Sequence, residues 1–292
     1  MAELTRTKNE LREALSSLDG DVALVMTMGA LHEGHLSLVR AARRAAPNVV
    51  VSIFVNPLQF GPDEDFDAYP RDLEADLALL ETVGVEVVYA PEVDDVYPRE
   101  PLVRIEAGPM ATVYEGRTRP THFAGVLQVV HKVFNLVRPD IAFFGQKDAQ
   151  QLALIRTMVA DLDMPLEIRS VPIRREESGL ALSSRNAYLS DEEHIEALAL
   201  NQALVLGKDA AAHGASVSGA RDVALKYLSD APGVKLDYLA LVDPETFRDL
   251  TAPAPHDQTE AGAPAPSRGL LVTAAWVGTT RLIDNMEVEF HD

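Results

Sequence analysis

Along the first 174 residues, short aliphatic and β-branched runs alternate with longer stretches whose apolar positions recur at helical spacing. "DVALVMT" (21–27) reads as a buried strand, and "VVVSIFV" (49–55), "EVVYAP" (86–91), "DIAFFG" (140–145) and "LEIRSVPI" (166–173) read as further strands. Helices are expected between them. A capping box at Thr7–Glu10 opens one toward Leu18, and "GHLSLVRAARRAA" (34–46) forms the next. Pro70 is placed for the first turn of a helix ending near Gly84, "FAGVLQVVHKVFNLV" (123–137) is helical, and a further helix spans about Ala149 to Asp161. Strands joined by helices predict a mostly parallel sheet with right-handed crossovers, whose ligand site lies beyond the carboxyl ends of the strands.

After Arg174 the pattern changes. A second capping box, Ser190–Glu193, starts a long helix, and another helix runs from about Ser218 to Ser229. The strand-like runs "LDYLALVD" (236–243), "LLVTAAWV" (270–277) and "TRLIDNMEV" (280–288) follow. The expected architecture is α/β: a Rossmann-like doubly wound parallel sheet over 1–174, followed by a smaller α+β C-terminal lid domain over 175–292. "TAPAPHDQTEAGAPAPSR" (251–268) reads as a mobile surface insertion.

Composition narrows the function classes. With 292 residues the chain can bury a sizeable core, and with no cysteine it has no disulfide, thiolate metal site or cysteine nucleophile. No apolar run is long enough to span a membrane, and "MAELTRTKNELREAL" is too charged for a secretory signal, so a cytoplasmic protein is expected. A net charge of −19, from 45 acidic and 26 basic residues, disfavours broad contact with nucleic-acid phosphates. It also repels small anions, so any anionic substrate requires the scarce cations and backbone N–H groups to be gathered in one place.

The strand-to-helix turns hold the candidate chemistry. In "MTMGALHEGH" (26–35), Gly29 can turn the chain out of its strand, and the helix that follows starts with unpaired N–H groups suited to an anion. His32 and His35, at i and i+3, share one face of its first turn and can donate to phosphate oxygens or protonate a leaving oxygen. Spacing alone leaves capping or core histidines open. It also leaves a zinc pair open, although i, i+4 is the usual zinc spacing and no third ligand is evident nearby. In "NPLQF" (56–60), Asn56 and Gln59 offer neutral donors and acceptors at the same sheet edge, or simply a turn before Pro57. In "FFGQKDAQQ" (143–151), Gly145 allows the turn, Lys147 is a point charge, and Asp148 either caps a helix or accepts a ribose hydroxyl. In "GLALSSRN" (179–186), hydroxyls and a guanidinium make a phosphate cradle or an ordinary polar turn. "EGRTRPTHF" (115–123) places Arg119 and His122 in a polar loop that is either solvated surface or a substrate wall.

"HEGH" after "TMGAL" resembles the HxGH signature of the nucleotidyltransferase superfamily, and the longer string is similar to that of the pantothenate synthetase family, which usually has Pro where Met26 stands. "NPLQF", "GQKD" and "LSSRN" resemble further motifs of that family in the same order, so the likeness spans nearly the whole chain. It implies ATP contacts at Met28, Gly29, Ala30, Leu31, His32, Glu33, Gly34, His35, Gly145, Gln146, Lys147, Asp148, Leu182, Ser183, Ser184 and Arg185. Arg174 stands at a further ATP contact where the family commonly has an aliphatic residue. The resemblance gives pantoate to Gln59 and Gln151 with Asn56 beside them, and β-alanine to Gln59; Arg119 and His122 border the cavity. His35 inherits the role of proton donor, with His32 and Lys147 as further catalytic residues.

The implied reaction joins pantoate to β-alanine through pantoyl adenylate, releasing pyrophosphate and then AMP, in vitamin B5 and coenzyme A biosynthesis. Mg²⁺ is expected with ATP, held mainly by phosphate oxygens and water, with no protein ligand assigned beyond possible help from Asp72 or Asp76. The resemblance also suggests a homodimer, and no nucleic-acid or membrane partner is expected. An adenylyltransferase that leaves AMP on its product, or a nucleotide-binding regulator without turnover, would use the same fold.

Overall fold

The computed structural model describes residues 2–62, 64–252 and 266–290. The expected insertion at 251–268 therefore falls largely outside the described residues. Two compact units are present: 1–146 with 150–174, and 147–149 with 175–292.

The first unit is built on a six-stranded sheet in the order β1-β4-β3-β2-β5-β6, with all its pairs parallel. The strands are β1 (Glu3–Thr5), β2 (Val22–Thr27), β3 (Asn48–Ile53), β4 (Val87–Tyr89), β5 (Ile141–Gly145) and β6 (Glu167–Val171). Successive strand residues face opposite sides. Leu24, Val50, Val87 and Phe144 meet α1 (Lys8–Ser16), α6 (His122–Val137) and α7 (Ala149–Asp161) on one side, the short helices α4 (Val93–Val96) and α5 (Glu115–Thr118) preceding α6 in the chain. Ala23, Val25, Val51, Val88 and Phe143 meet α2 (Glu33–Ala45) and α3 (Leu73–Glu81) on the other. Burial on both faces explains why the strands read as continuous apolar runs, and helices on both faces make the sheet doubly wound. The chain winds outward from β2 through β3 and returns to β5 on the far side of β2, which puts the topological switch at the β2–β5 pair.

Local chemistry fixes the element ends. The Thr7–Glu10 capping box forms at α1, with both reciprocal hydrogen bonds in place. Pro70 does not start α3. Asp72 is the N-cap, its side chain accepting from Ala75 N, and Arg71 donates to the carbonyls of Phe66 and Tyr69, so the chain before Leu73 is held as a turn. β1 was not evident from the apolar pattern, because it is a three-residue edge strand reading Glu-Leu-Thr.

The second unit is α+β. Its antiparallel sheet, in the order β7-β8-β9, comprises β7 (Val234–Val242), β8 (Arg268–Val277) and β9 (Thr280–Glu289). α8 (Asp191–Ala212), opened by the Ser190–Glu193 capping box, and α9 (Val217–Asp230) pack on it through Leu200, Leu204, Ala224 and Leu228. Among the described residues, no helix is long and apolar enough to cross a membrane.

Candidate active site

The turn after β2 is left-handed at two consecutive residues, Gly29 (φ +85°) and Ala30 (φ +50°). A side chain other than glycine's is disfavoured in that region, so something must hold Ala30 there. Asp76 of α3 does. Its Oδ2 accepts from Ala30 N at 3.1 Å and its Oδ1 from Leu31 N at 2.7 Å. The side chain is 2% exposed, and burial raises its carboxyl above the ordinary value against the pull of those two N–H groups.

His32 is the N-cap of α2 and His35 its third helical residue, which accounts for the i, i+3 spacing. His32 Nδ1 accepts from Gly34 N at 3.1 Å, and His35 Nδ1 lies 3.3 Å from His32 N as its acceptor. The rings lie 4.1 Å apart, centroid to centroid. In these bonds both Nδ1 atoms act as acceptors, so a neutral ring carries its proton on Nε2. The capping role and the role expected of the pair in catalysis are thus compatible. One expectation changes: the N–H groups of Gly29, Ala30, Leu31, His32 and Gly34 all donate within the turn, to Thr27, Asp76, His35 and His32. At these five positions the anion cradle that the helix N-terminus suggested is not open, because side chains, those of Asp76 among them, already accept from the N–H groups.

At the end of β3 the polar groups are neutral. Asn56 Oδ1 accepts from Leu58 N (3.3 Å) and from the Tyr97 hydroxyl (3.0 Å), while Asn56 Nδ2 donates to Gly125 O (3.0 Å) and Gln59 Oε1 (3.1 Å). Leu58 N can only donate and Gly125 O can only accept, so the orientation of the Asn56 amide is determined. Gln59 must then use Nε2 as its remaining donor end, and Met28 Sδ lies 3.0 Å from it. The close approach that permits this is glycine-dependent: a Cβ on Gly125 would fall 2.1 Å from Leu58 O.

Arg119 and His122 join the same cluster. His122 Nδ1 donates to Gln59 O at 2.9 Å, leaving Nε2 to accept from Arg119 Nη1 at 3.2 Å. Burial, reinforced by the charge of Arg119, pushes this imidazole down to about 4. Arg119 Nη2 also donates to Gln59 O, and its guanidinium grips both carboxylate oxygens of Glu64. Burial alone would raise the Glu64 carboxyl, but Arg119 holds it below the ordinary range. Of the neighbouring glutamines, Gln150 is buried and fixes the backbone of Met110, Val113 and Glu115, whereas Gln151 is half-buried. Gly145 closes β5 and Gln146 donates to Ser170 Oγ at 3.5 Å. Arg174 is exposed; the Glu33 carboxyl is lowered chiefly by its hydrogen bond to Arg40, with a smaller pull from Arg174.

In the second unit, Asn285 Nδ2 donates to Lys147 O at 2.8 Å, and Arg175 makes paired hydrogen bonds to Asp284 while also reaching Gly179 O and Asn285 O. These contacts hold the start of the 179–186 loop to β9. Ser183 caps the short 3₁₀ turn Ser184–Tyr188, its Oγ accepting from Arg185 N at 3.2 Å, which leaves the hydroxyl proton for another acceptor. Lys147, Ser183, Asn186 and Asp284 line one small hollow; Leu182, Ser184 and Arg185 are half-buried, and Asp148 is exposed.

Sequence reasoning missed Asp76 as the clamp of the β2 turn, and missed Tyr97, Glu64 and Asn285 altogether. Only Asp76 carried a signal: it sits between Leu73 and Leu80 at helical spacing, an acid on the apolar stripe of α3.

This is the framework of an α/β enzyme whose polar side chains collect at the carboxyl edge of a parallel sheet. A sequence model described as Pantoate-beta-alanine ligase matches residues 3–287. A pantothenate synthetase from Acidothermus cellulolyticus is 52% identical over 289 residues, covering 99% of this chain and 92% of the relative. One from Salinispora arenicola is 50% identical over 291 residues, covering 99% and 98%. The crystal structure of pantothenate synthetase from Thermus thermophilus is similar with a TM-score of 0.89 at 44% identity, covering 98% of this chain and 99% of that one. That of a Francisella tularensis pantoate-beta-alanine ligase, complexed with beta-gamma ATP and beta-alanine, has a TM-score of 0.78 at 30% identity, covering 98% and 97%. The chain belongs to the pantoate-beta-alanine ligase family.

Proposed function

We propose that this chain is an ATP-dependent ligase that condenses pantoate with β-alanine, yielding pantothenate, AMP and pyrophosphate. The observation that carries the reading is family membership along almost the entire chain, with relatives named pantothenate synthetase at about half identity.

A carboxylate resists attack by an amine, so one of its oxygens must first become part of a leaving group. A pantoate carboxylate oxygen attacks the α-phosphorus of ATP, and the bond to the bridging oxygen of pyrophosphate breaks. The neutral amine of β-alanine then attacks the acyl carbon, and the carbon–oxygen bond to AMP breaks. The protein's task is placement and charge stabilisation, with no covalent enzyme intermediate.

In this reading His32 and His35 meet the nucleotide through their Nε2 atoms, with His35 as the donor to the departing pyrophosphate; their fixed Nδ1 bonds support it. Gln59, assisted by Asn56, presents its Nε2 to oxygens of pantoate and of β-alanine, and Gln151 adds a second amide to pantoate. Arg119 and His122 act through Gln59, whose carbonyl both hold. The ATP roles proposed for Gly145, Gln146, Lys147, Asp148, Arg174, Leu182, Ser183, Ser184 and Arg185 rest on the family resemblance. So do the nucleotide- and pantoate-binding role of 1–174, the homodimer and the cytoplasmic setting.

No cluster of three His, Cys, Asp or Glu side chains able to hold a metal is present among the described residues, and Asp76 is engaged by the β2 turn. The described residues form no three-ligand protein cage for Mg²⁺. We propose that the ion arrives with ATP, on its phosphate oxygens.

The test is exchange of labelled pyrophosphate into ATP in the absence of β-alanine. The reading expects exchange that requires pantoate. Exchange without pantoate, or none at all from a folded preparation, would count against it. An adenylyltransferase would be distinguished by AMP retained on the final product.

A further inference from the structure

The structure assigns Asp76 as the positioning residue of the β2–α2 turn: its buried carboxylate takes the place of an external anion on the N–H groups of Ala30 and Leu31 and so fixes where His32 and His35 begin. This rests on the ligase reading and adds a residue to it.

Three features of the turn converge on this assignment. Gly29 and Ala30 are consecutive left-handed residues, and alanine adopts that conformation only when its surroundings impose it. Each oxygen of Asp76 takes one backbone N–H, so the carboxylate constrains both peptides at once. The fit is close: a Cβ on Gly29 would lie 3.0 Å from Asp76 Oδ2 and 3.3 Å from Ile53 Cγ2, which leaves glycine as the residue that can pass between them. The next residues after this fixed turn are His32, whose backbone N–H lies against His35 Nδ1, and the helix it caps. Orientation of the imidazoles is thereby inherited from a side chain that lies 46 positions in sequence from Ala30.

The consequence for chemistry is a division of labour. With the N–H groups of Ala30 and Leu31 held by a carboxylate, the triphosphate is met here by imidazoles and not by those peptides. Loss of Asp76 therefore harms adenylation, which needs both rings aligned on pyrophosphate, more than aminolysis, from which pyrophosphate has gone.

The experiment compares Asp76→Ala, Ala30→Gly and the double variant. Two assays are used: pantoate-dependent pyrophosphate exchange, and aminolysis by β-alanine of synthetic pantoyl adenylate. Asp76→Ala is expected to slow exchange at least about tenfold while aminolysis stays within about threefold. Glycine needs no clamp to adopt a positive φ, so the double variant should recover about threefold or more of the lost exchange. Equal losses in both assays, no recovery on adding Ala30→Gly, or restoration of Asp76→Ala by raised Mg²⁺ would each overturn the assignment. If Asp76→Ala does not fold, Asp76→Asn keeps a single acceptor oxygen and should show the same ordering with a smaller loss. Amide hydrogen exchange without ligands tests the inference independently of the reaction: Ala30 and Leu31 should both be protected in the parent, and at least one of them should lose protection in Asp76→Asn, which keeps one acceptor oxygen; unchanged protection of both would overturn it. Absence of pyrophosphate exchange in the parent would instead fault the ligase reading.

Discussion

The turns after β2 and β3 leave adjacent parallel strands, yet they organise their polar groups in opposite ways. The β2 turn is held by a buried carboxylate and carries two imidazoles, groups whose charge can change. The β3 turn is a mesh of neutral amides, a phenol and backbone carbonyls around Asn56 and Gln59. The contrast matches the chemistry proposed for each. Charge must be managed where a phosphoryl group is transferred, whereas recognition of hydroxyl and carboxylate oxygens needs donors fixed in direction without a buried net charge. His122 adds no charge of its own to the second turn: burial, reinforced by the neighbouring Arg119 guanidinium, holds it neutral, and Arg119 is itself balanced by Glu64.

The two turns should differ most at His35. His35→Ala should lower pyrophosphate exchange by about 100-fold, about 3 kcal/mol, in line with loss of one preorganised donor, with little change in thermal stability. Near-parental exchange would remove the imidazole from the chemistry and leave it as a cap. Asn56→Leu should do the reverse in kind. It strands the Tyr97 hydroxyl and Gln59 Oε1 in a buried setting, so unfolding free energy in urea should drop by about 2 kcal/mol, accompanied by a higher KM for pantoate. Gly125→Ala forces α6 away from Leu58 and should cost about 1–2 kcal/mol of stability, with the kinetic effect confined to pantoate and β-alanine and not to ATP.

The smallest effect is on pH dependence. The His122 pKa is about 4 in the folded chain, below the 6.5 of an unperturbed imidazole, so between those values the unfolded chain binds more protons than the folded one. The stabilisation is fully present above about pH 6.5 and is lost as pH falls toward 4, with a slope of at most about 1.4 kcal/mol per unit. Urea titrations across that range should show the slope in the parent and a shallower one in His122→Gln. Identical slopes would mean that His122 is not held neutral.

Much of the fold is legible from the sequence because its signals are local. Both capping boxes form, and the apolar runs become the central strands because helices cover both faces of the sheet. The signals fail where local pattern is weak or is overridden: β1 has three residues with polar ends, and Asp72 displaced Pro70 as the start of α3. For the site, sequence shows which residue types end each strand, but not what those residues are bonded to. That the N–H groups of the β2 turn are occupied depends on Asp76, and the direction of the Gln59 amide depends on Gly125, itself 69 positions from Asn56. Such long-range bonds leave no periodicity to read.

In the proposed reaction the pantoate carboxylate is activated by transfer of AMP. Pantoate labelled with ¹⁸O in both carboxylate oxygens, turned over with ATP and β-alanine and read by mass spectrometry, tests it most directly. An adenylate route leaves one labelled oxygen on AMP and one in the pantothenate amide carbonyl. Unlabelled AMP, or label in inorganic phosphate with ADP as the nucleotide product, would rule out adenylation.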